Sequence, residues 1–434
     1  MRHRSFLASL LVLYLSIGAA GANPHIVVDV ETGKVLAHER AFDRWYPASI
    51  TKIMTAYLAF EAVQSGDLSM RSPVRITKRA AAEPPSKMGY PVGTELTLEN
   101  AIKIMLVKSA NDVTMAVGEA IGGTSDKFLA MMNERAAALG MTDTNFVNPH
   151  GLPGAGQYTT ARDFGLLSAL VRRQYPEYAG VFSIEALKLP GRKAPVTNTN
   201  ILIGRMAGAD GMKTGYICAS GFNLVASATR NRRTVVAVVL GALDQQERAE
   251  KAADLLAAGF ATDPATVSDT VLTLPRYGNG GTEVADIRSD ICTGEAQLNR
   301  YDGRDVDGKL IYRSSNIEPM RRAPVAVAVS LGGADGPPAR NTGMVDIPIP
   351  AKRPAGLRDL VLERPPVDPA DLVVEGEAEP TASVAETGEA VAADQAEDTM
   401  ASSPGGEDGT AQSAAVEPAI IAIPVPQSRP EQVQ

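Results

Sequence analysis

Apolar and polar positions follow two periods along this chain. Residues 26–30 and 35–38 are mainly apolar runs on either side of Glu31-Thr32-Gly33-Lys34, a pattern that predicts a β-hairpin. Ile50, Ile53, Met54, Tyr57 and Leu58 then recur at helical spacing, one apolar face with Pro47 just ahead of its first turn. Thr97 is placed to cap a second helix through Leu106, with Glu99 in the first turn where the helix dipole favours a negative charge. A third helix is predicted over 112–121, stopped by Gly122-Gly123, and a fourth over 126–139, stopped by Gly140. Strand character returns in 222–228 and 234–240, joined by a four-residue turn at 229–232, and residues 245–258 read as a closing helix. Hairpin, helical insert, hairpin and helix together predict an α/β (α+β) fold. Its antiparallel sheet gathers both ends of the domain, helices cover that sheet, and the insert forms a mainly helical subdomain.

Past residue 264 the pattern decays, although 325–331 read as one more strand. No Phe, Tyr or Trp follows Tyr312, so the last 122 residues lack the side chains that dominate core burial. Residues 264–336 are therefore expected to be a linker or a reduced second domain. Residues 337–434, low-complexity in Pro, Ala, Glu and Gly, are expected to be a disordered tail. Charge divides at nearly the same place. Residues 351–434 hold five Lys or Arg against sixteen Asp or Glu, a net of −11, which leaves +3 for residues 1–350 out of the total of −8. Nowhere are Lys and Arg dense enough to neutralise nucleic-acid phosphates, so no nucleic-acid partner is expected. With 44% apolar and 21% charged residues, the bulk of the chain is globular.

Arg2 and Arg4 precede an apolar run over 6–17 that ends in Ala20-Gly21-Ala22. That is the pattern of an export signal cut after Ala22, and the run falls short of the roughly 20 residues a spanning helix needs. Residues 1–22 are thus read as a signal peptide, and the mature protein as exported, periplasmic or otherwise extracytoplasmic. Cys218 and Cys292 fit an exported chain with one disulfide, and equally two separate thiols, since sequence gives no distance between them. His25, His38 and His150 stand in no cluster with ligand spacing, so neither a metal nor another cofactor is expected.

Three short motifs carry chemistry. Ser49-Ile50-Thr51-Lys52 sets a hydroxyl and an amine three residues apart at a helix head, on one face, where a partly neutral amine can take the proton of a serine nucleophile. One such pair arises by chance in a few hundred residues. Ser109-Ala110-Asn111 falls between two predicted helices. Its plain alternative is a helix cap, and the same pattern recurs at Ser314-Ser315-Asn316. Lys213-Thr214-Gly215, alone, reads as an exposed turn ahead of the strand at 222. Order and spacing make the three informative together. They form the set known in penicillin-binding proteins and class A β-lactamases. Around them stand Tyr46-Pro47-Ala48-Ser49, Asn148-Pro149-His150-Gly151-Leu152, Gly211-Met212-Lys213-Thr214-Gly215-Tyr216 and Ser220-Gly221-Phe222-Asn223. Over residues 24–262 the chain resembles the serine-type D-alanyl-D-alanine carboxypeptidases, the low-molecular-mass penicillin-binding proteins.

The resemblance implies a β-lactamase/transpeptidase-like fold with residues 23–263 as the catalytic domain. It implies that Ser49 attacks the carbonyl between the terminal D-alanines of a peptidoglycan stem peptide, with Lys52 as base and Ser109 relaying a proton to the leaving amine. Backbone N–H groups of Ser49 and Tyr216 would bind the oxyanion. Asn111 would hold the substrate amide, and Lys213, Thr214 and Gly215 would line the site for the terminal carboxylate. The same part for Arg248 competes with a solvated helix charge beside Glu247 and Glu250. A Ser-His-Asp reading of His150 lacks the G-x-S-x-G elbow, so His150 is taken as a turn residue near the site. Peptidoglycan stem peptides and inhibitory β-lactams are the partners implied. DD-endopeptidase work, a class A-like β-lactamase and a non-catalytic β-lactam-binding sensor of the wall are the alternatives. The β-lactamase reading lacks an E-x-x-x-N loop between the second and third motifs. Many relatives also carry a basic amphipathic helix near their end, and the acidic, Pro-rich tail here speaks against such membrane attachment.

Overall fold

The computed structural model describes residues 23–276, 281–299 and 311–342. Residues 1–22, read above as a signal, and 343–434, most of the acidic tail, lie outside the described residues. The predicted hairpin is β1 (His25–Asp29) and β2 (Val35–Glu39), its turn passing through Gly33 at φ +67°. Three more strands, β3 (Ala209–Ile217), β4 (Gly221–Arg230) and β5 (Arg233–Ala242), complete an antiparallel sheet in the order β2-β1-β5-β4-β3. The N-terminal strand thus lies inside the sheet, paired with β5 from His25↔Val239 to Asp29↔Val235.

The turn between β4 and β5 is shorter than predicted. Thr229 and Arg230 pair with Thr234 and Arg233, so only Asn231 and Arg232 remain, at φ +50° and +67°. A two-residue loop with positive φ at both positions matches the twist of the flanking strands. Thr229 Oγ1 and Thr234 Oγ1, 2.9 Å apart, extend the ladder to the end. Polar residues that looked like turn formers are cross-strand pairs.

The helices are α1 (Lys52–Gln64), α2 (Leu98–Val107), α3 (Asn111–Gly122), α4 (Ser125–Leu139), α5 (Ala161–Gln174) and α6 (Gln245–Ala261). Thr97 caps α2 by accepting from Asn100 N, Gly123 at φ +81° closes α3, and Gly140 closes α4 in the left-handed region. Both faces of the sheet are covered. Ile26 and Val28 join the core that holds α5, whereas Val27, Val235 and Val239 pack with Ala249, Ala252 and Leu256 of α6. That double burial explains why the middle of β1, Ile26–Val28, is a continuous apolar run without alternation. Helix α5 was not foreseen, because its first turn is charged. Arg162 and Asp163 are both buried, with Asp163 accepting from Asp143 N at 2.9 Å and Thr144 Oγ1 at 2.7 Å.

Beyond α6 the described residues form a strap against the domain and have no core of their own. Val271 and Leu274 enter the main core, and Val284–Ala285 pairs with Arg44–Trp45. Ile291 packs on Phe222 and Ala242, and Ala326–Ala328, within the strand predicted at 325–331, runs parallel to Ala186–Lys188. The tail's composition begins at 337, yet residues 337–342 are still part of the strap. Ala339 is buried, and Arg340 Nη2 lies 3.4 Å from Asp67 Oδ2 beside α3. Alanine suits a close approach of chain to helix, so a low-complexity stretch need not be unpacked.

Cys218, just past β3, is bonded to Cys292 of the strap, a sequence separation of 74. A crosslink closing a loop of that length removes about 4 kcal/mol of unfolded-chain entropy in the loop-closure picture. Reduction, or Cys292→Ser, is expected to lower the urea midpoint accordingly; an unchanged midpoint would show that the crosslink contributes nothing to the stability of the domain.

Candidate active site

Ser49 stands in a 3₁₀ turn, Ala48–Thr51, that leads into α1. Ala48 has φ +48°, a conformation that costs a non-glycine residue of order 1–3 kcal/mol and persists only when its surroundings hold it. Two neighbours do. Asn223, a polar residue in the middle of apolar β4, donates from Nδ2 to the carbonyls of Tyr46 (2.9 Å) and Pro47 (3.2 Å) and accepts from Gly241 N at 3.0 Å. On the other side Gly151, φ +91°, comes so close that a Cβ would fall 1.8 Å from the Ala48 carbonyl oxygen.

Lys52 opens α1 and is 0% exposed. Its Nζ contacts Ser49 Oγ at 2.8 Å, Asn111 Oδ1 at 2.8 Å and the His150 carbonyl at 3.0 Å. Burial drives its pKa well below the ordinary lysine value and the nearby Lys213 ammonium pushes the same way, against smaller opposing effects of Asp112 and Glu83. A neutral amine has two N–H bonds and one lone pair. The two partners that can only accept, Asn111 Oδ1 and His150 O, take the N–H bonds, which turns the lone pair to the Ser49 hydroxyl. The orientation of the Asn111 amide is set in turn by Nδ2 donating to Pro84 O at 3.0 Å, while its backbone N–H donates to Ser86 O at 2.7 Å.

Ser109 lies in the break between α2 and α3 at φ +63°, two residues before Asn111. The plain alternative, a side-chain cap on α3, is not what the structure holds: that helix begins after Ala110 with no side-chain cap bond. Lys213 and Thr214, which local composition places in an exposed turn, are instead buried in β3, Lys213 being 2% exposed with Nζ donating to Thr214 O at 3.0 Å. Gly215 carries the strand onto the head of α1, for a Cβ there would sit 3.0 Å from Ser49 N and 3.0 Å from Pro47 O. The absent side chain is what brings β3 backbone beside the Ser49 N–H. Next in the strand, the Tyr216 ring lies tilted against Phe222 with centroids 4.3 Å apart, and its hydroxyl is 3.3 Å from Cys292 Sγ.

Arg248 is no solvated helix charge. It is 4% exposed and donates to Thr199 O at 3.2 Å, and Thr199 Oγ1 lies 2.6 Å from Thr214 Oγ1. His150 stands in a turn beside the site. Its carbonyl serves Lys52, its ring is buried, and Nε2 lies 2.9 Å from Glu83 Oε2 with the ring N–H inclined to that line. Ser49, Lys52 and Asn111 are thus in direct contact, Lys213 acts on Lys52 through its field, and Arg248 stands one hydrogen-bonded residue behind Thr214. Sequence reasoning assigned no part to Glu83, Gly151 or Asn223. Only Asn223 had a signal, an amide inside a strand buried on both faces.

The family model described as D-alanyl-D-alanine carboxypeptidase matches residues 16–244, a little over half the chain. The chain belongs to that family. It is similar to D-alanyl-D-alanine carboxypeptidase DacF of Bacillus subtilis, 33% identical over 241 residues that make up 55% of this chain and 62% of that protein. Its fold is that of the crystal structure of D-alanyl-D-alanine carboxypeptidase DacD from Francisella tularensis, with TM-score 0.52 and 30% identity over 59% of this chain and 73% of that one. Penicillin-Binding Protein D2 from Listeria monocytogenes in its cefotaxime-bound form matches 55% of this chain and 97% of its own, with TM-score 0.50 and 29% identity. The chain spans about three fifths of the length of the curated relatives it matches.

Gly151→Ala is expected to cost about 3 kcal/mol or more in urea denaturation, because a clash with backbone adds to the positive-φ strain. Gly156, at φ +80° but with nothing nearer than 3.5 Å, is the control: its alanine variant should lose only about 1–2 kcal/mol. Equal losses at the two positions would mean that the approach to Ala48 is not a constraint.

Proposed function

We propose that the protein is a serine-type D-alanyl-D-alanine carboxypeptidase that removes the terminal D-alanine from peptidoglycan stem pentapeptides outside the cytoplasm and is inhibited by β-lactams. The observation that carries this reading is the Lys52 amine, fully buried, its pKa depressed, held by two acceptors and 2.8 Å from Ser49 Oγ. Family membership and the likeness to a cefotaxime-bound protein support the choice of substrate and inhibitor.

Ser49 Oγ attacks the carbonyl of the penultimate D-alanine while its proton passes to Lys52. The oxygen that gains charge lies between the N–H groups of Ser49 and Tyr216, where fixed donors stabilise it by several kcal/mol. Lys52 then returns the proton by way of Ser109 to the departing nitrogen, the C–N bond breaks, and free D-alanine leaves an ester on Ser49. Water attacks that ester, Lys52 takes a proton from the water, and Ser49 recovers its own as the tetrapeptide departs. Asn111 holds the substrate amide. Lys213 and Thr214, backed by Arg248 through Thr199, hold the terminal carboxylate, and two cations behind one wall favour an anionic chain end over an internal peptide bond. Residues 23–263 are the catalytic domain in this reading, delivered by the segment 1–22. No helix of the described residues is long and apolar enough to cross a membrane.

The test is incubation with a stem pentapeptide and identification of the products by mass. One D-alanine released per tetrapeptide is expected, and none from Ser49→Ala; a protein that takes up penicillin but releases no D-alanine would be a sensor and not an enzyme. A second expectation concerns pH. The base must be unprotonated, and the Lys213 ammonium lowers the Lys52 pKa, so Lys213→Met should raise it and move the acid limb of β-lactam acylation to higher pH. A limb that stays in place would exclude Lys52 as the titrating base.

A further inference from the structure

Both acceptors of the Lys52 amine lead to one residue outside the three motifs. Glu83, buried, has Oε2 2.9 Å from Nε2 of His150, the residue whose carbonyl takes one Lys52 N–H. The next residue in the chain, Pro84, accepts the Asn111 Nδ2 bond that aims Oδ1 at Lys52, and Ser86 accepts the Asn111 backbone N–H. The same loop donates Met88 N and Gly89 N to the buried Asp112 carboxylate at 2.9–3.0 Å. On the far side, the turn that carries His150 is fixed by Gly151 N donating to Asn148 Oδ1 at 2.6 Å and Thr55 Oγ1 donating to Pro149 O at 2.7 Å. Between this loop and this turn, the Glu83 carboxylate faces the His150 imidazole, Oε2 2.9 Å from Nε2 with the ring N–H inclined to that line.

We infer that Glu83 is a positioning residue for the Lys52 amine: its carboxylate pins the 83–89 loop to the 148–152 turn, so that the two acceptors keep the lone pair aimed at Ser49. This rests on the reading of Lys52 as the base. Leu152 N donates to His150 Nδ1 at 3.3 Å, which puts the ring proton on Nε2, the nitrogen that faces Glu83. Charged groups converge from every side. Glu83 faces His150 and Arg79, with Glu119 nearby; His150 faces Glu83, Lys52 and Arg79; Lys52 faces Lys213, Asp112 and Glu83. Burial pushes the His150 imidazole below its ordinary value, with Glu83 opposing and Lys52 assisting. Burial works to raise the Glu83 carboxyl, but His150 and Arg79 outweigh it and hold it low. Near neutral pH the pair is therefore a carboxylate beside a neutral imidazole.

The experiment compares Glu83→Gln, Glu83→Asp, His150→Gln and the double Gln variant in the whole protein, with wild type and Ser49→Ala as references. Each is followed by D-alanine release, by acylation with a β-lactam, and by NMR titration of the Lys52 side chain, which needs no turnover. Glu83→Gln is expected to lower kcat and the acylation rate about tenfold, a fraction of the ~100-fold that a 1 Å misplacement can cost, with KM within about twofold of wild type. It also removes a negative charge that raises the Lys52 pKa, so both the acid limb and the Lys52 titration should move to lower pH. Glu83→Asp keeps the charge but not the reach, and should lower kcat with the limb in place; it serves too if the Gln variant does not fold. The double variant should be no slower than either single one. Unchanged kcat and titrations in Glu83→Gln, or additive losses in the double variant, overturn the inference. A wild-type protein that is acylated and titrates as described but releases no D-alanine overturns only the carboxypeptidase reading.

Discussion

An ammonium group taken out of water into a packed interior is costly, and the same amine without its extra proton is far less so. Lys52 is under that constraint, and the architecture around it can be understood as the means of exploiting it. Two oxygen atoms that cannot donate take its hydrogens, a second cation discourages protonation, and the serine hydroxyl is what remains in reach. None of these groups comes from the same element. The serine precedes α1, the amide heads α3, the carbonyl belongs to a turn before α5, and the second cation lies on an edge strand. The sheet and helical insert hold four separate stretches of backbone around one nitrogen.

That arrangement demands close approach of main chains, and glycine supplies it at two places with different physics. At Gly215 the conformation is ordinary and the need is for space, since β3 passes within contact of the head of α1. At Gly151 space and a left-handed backbone are both required. Asn223 does the complementary work, tying the segment before the nucleophile to the sheet with an amide that would otherwise be out of place in an apolar strand.

Elements whose signals are local were readable from the chain. Periodicity together with Thr97 and Gly140 located α2 and α4, and the motif residues were found by type and spacing. What escaped depends on partners distant in sequence. The charged start of α5 reads as surface until Asp163 is seen accepting from Asp143 and Thr144. Glu83 lies in a Pro- and Gly-containing loop with no periodicity, and its importance comes from a histidine 67 positions away. The strap was obscure for the same reason: Val271, Leu274 and Ala339 are sparse apolar residues whose burial sites are built by the preceding domain.

The place of β1 has a consequence for how the molecule is made. Its second neighbour β5 is not reached until residue 233, so a polypeptide emerging N-terminus first can pair β1 with β2 but leaves its other edge open, with the apolar Ile26–Val28 run uncovered, for about half of its synthesis. Sheet closure must wait for pairings over two hundred positions apart, a topology associated with slow folding. If the chain is exported as proposed, such delay would favour its crossing of the membrane before tertiary structure forms.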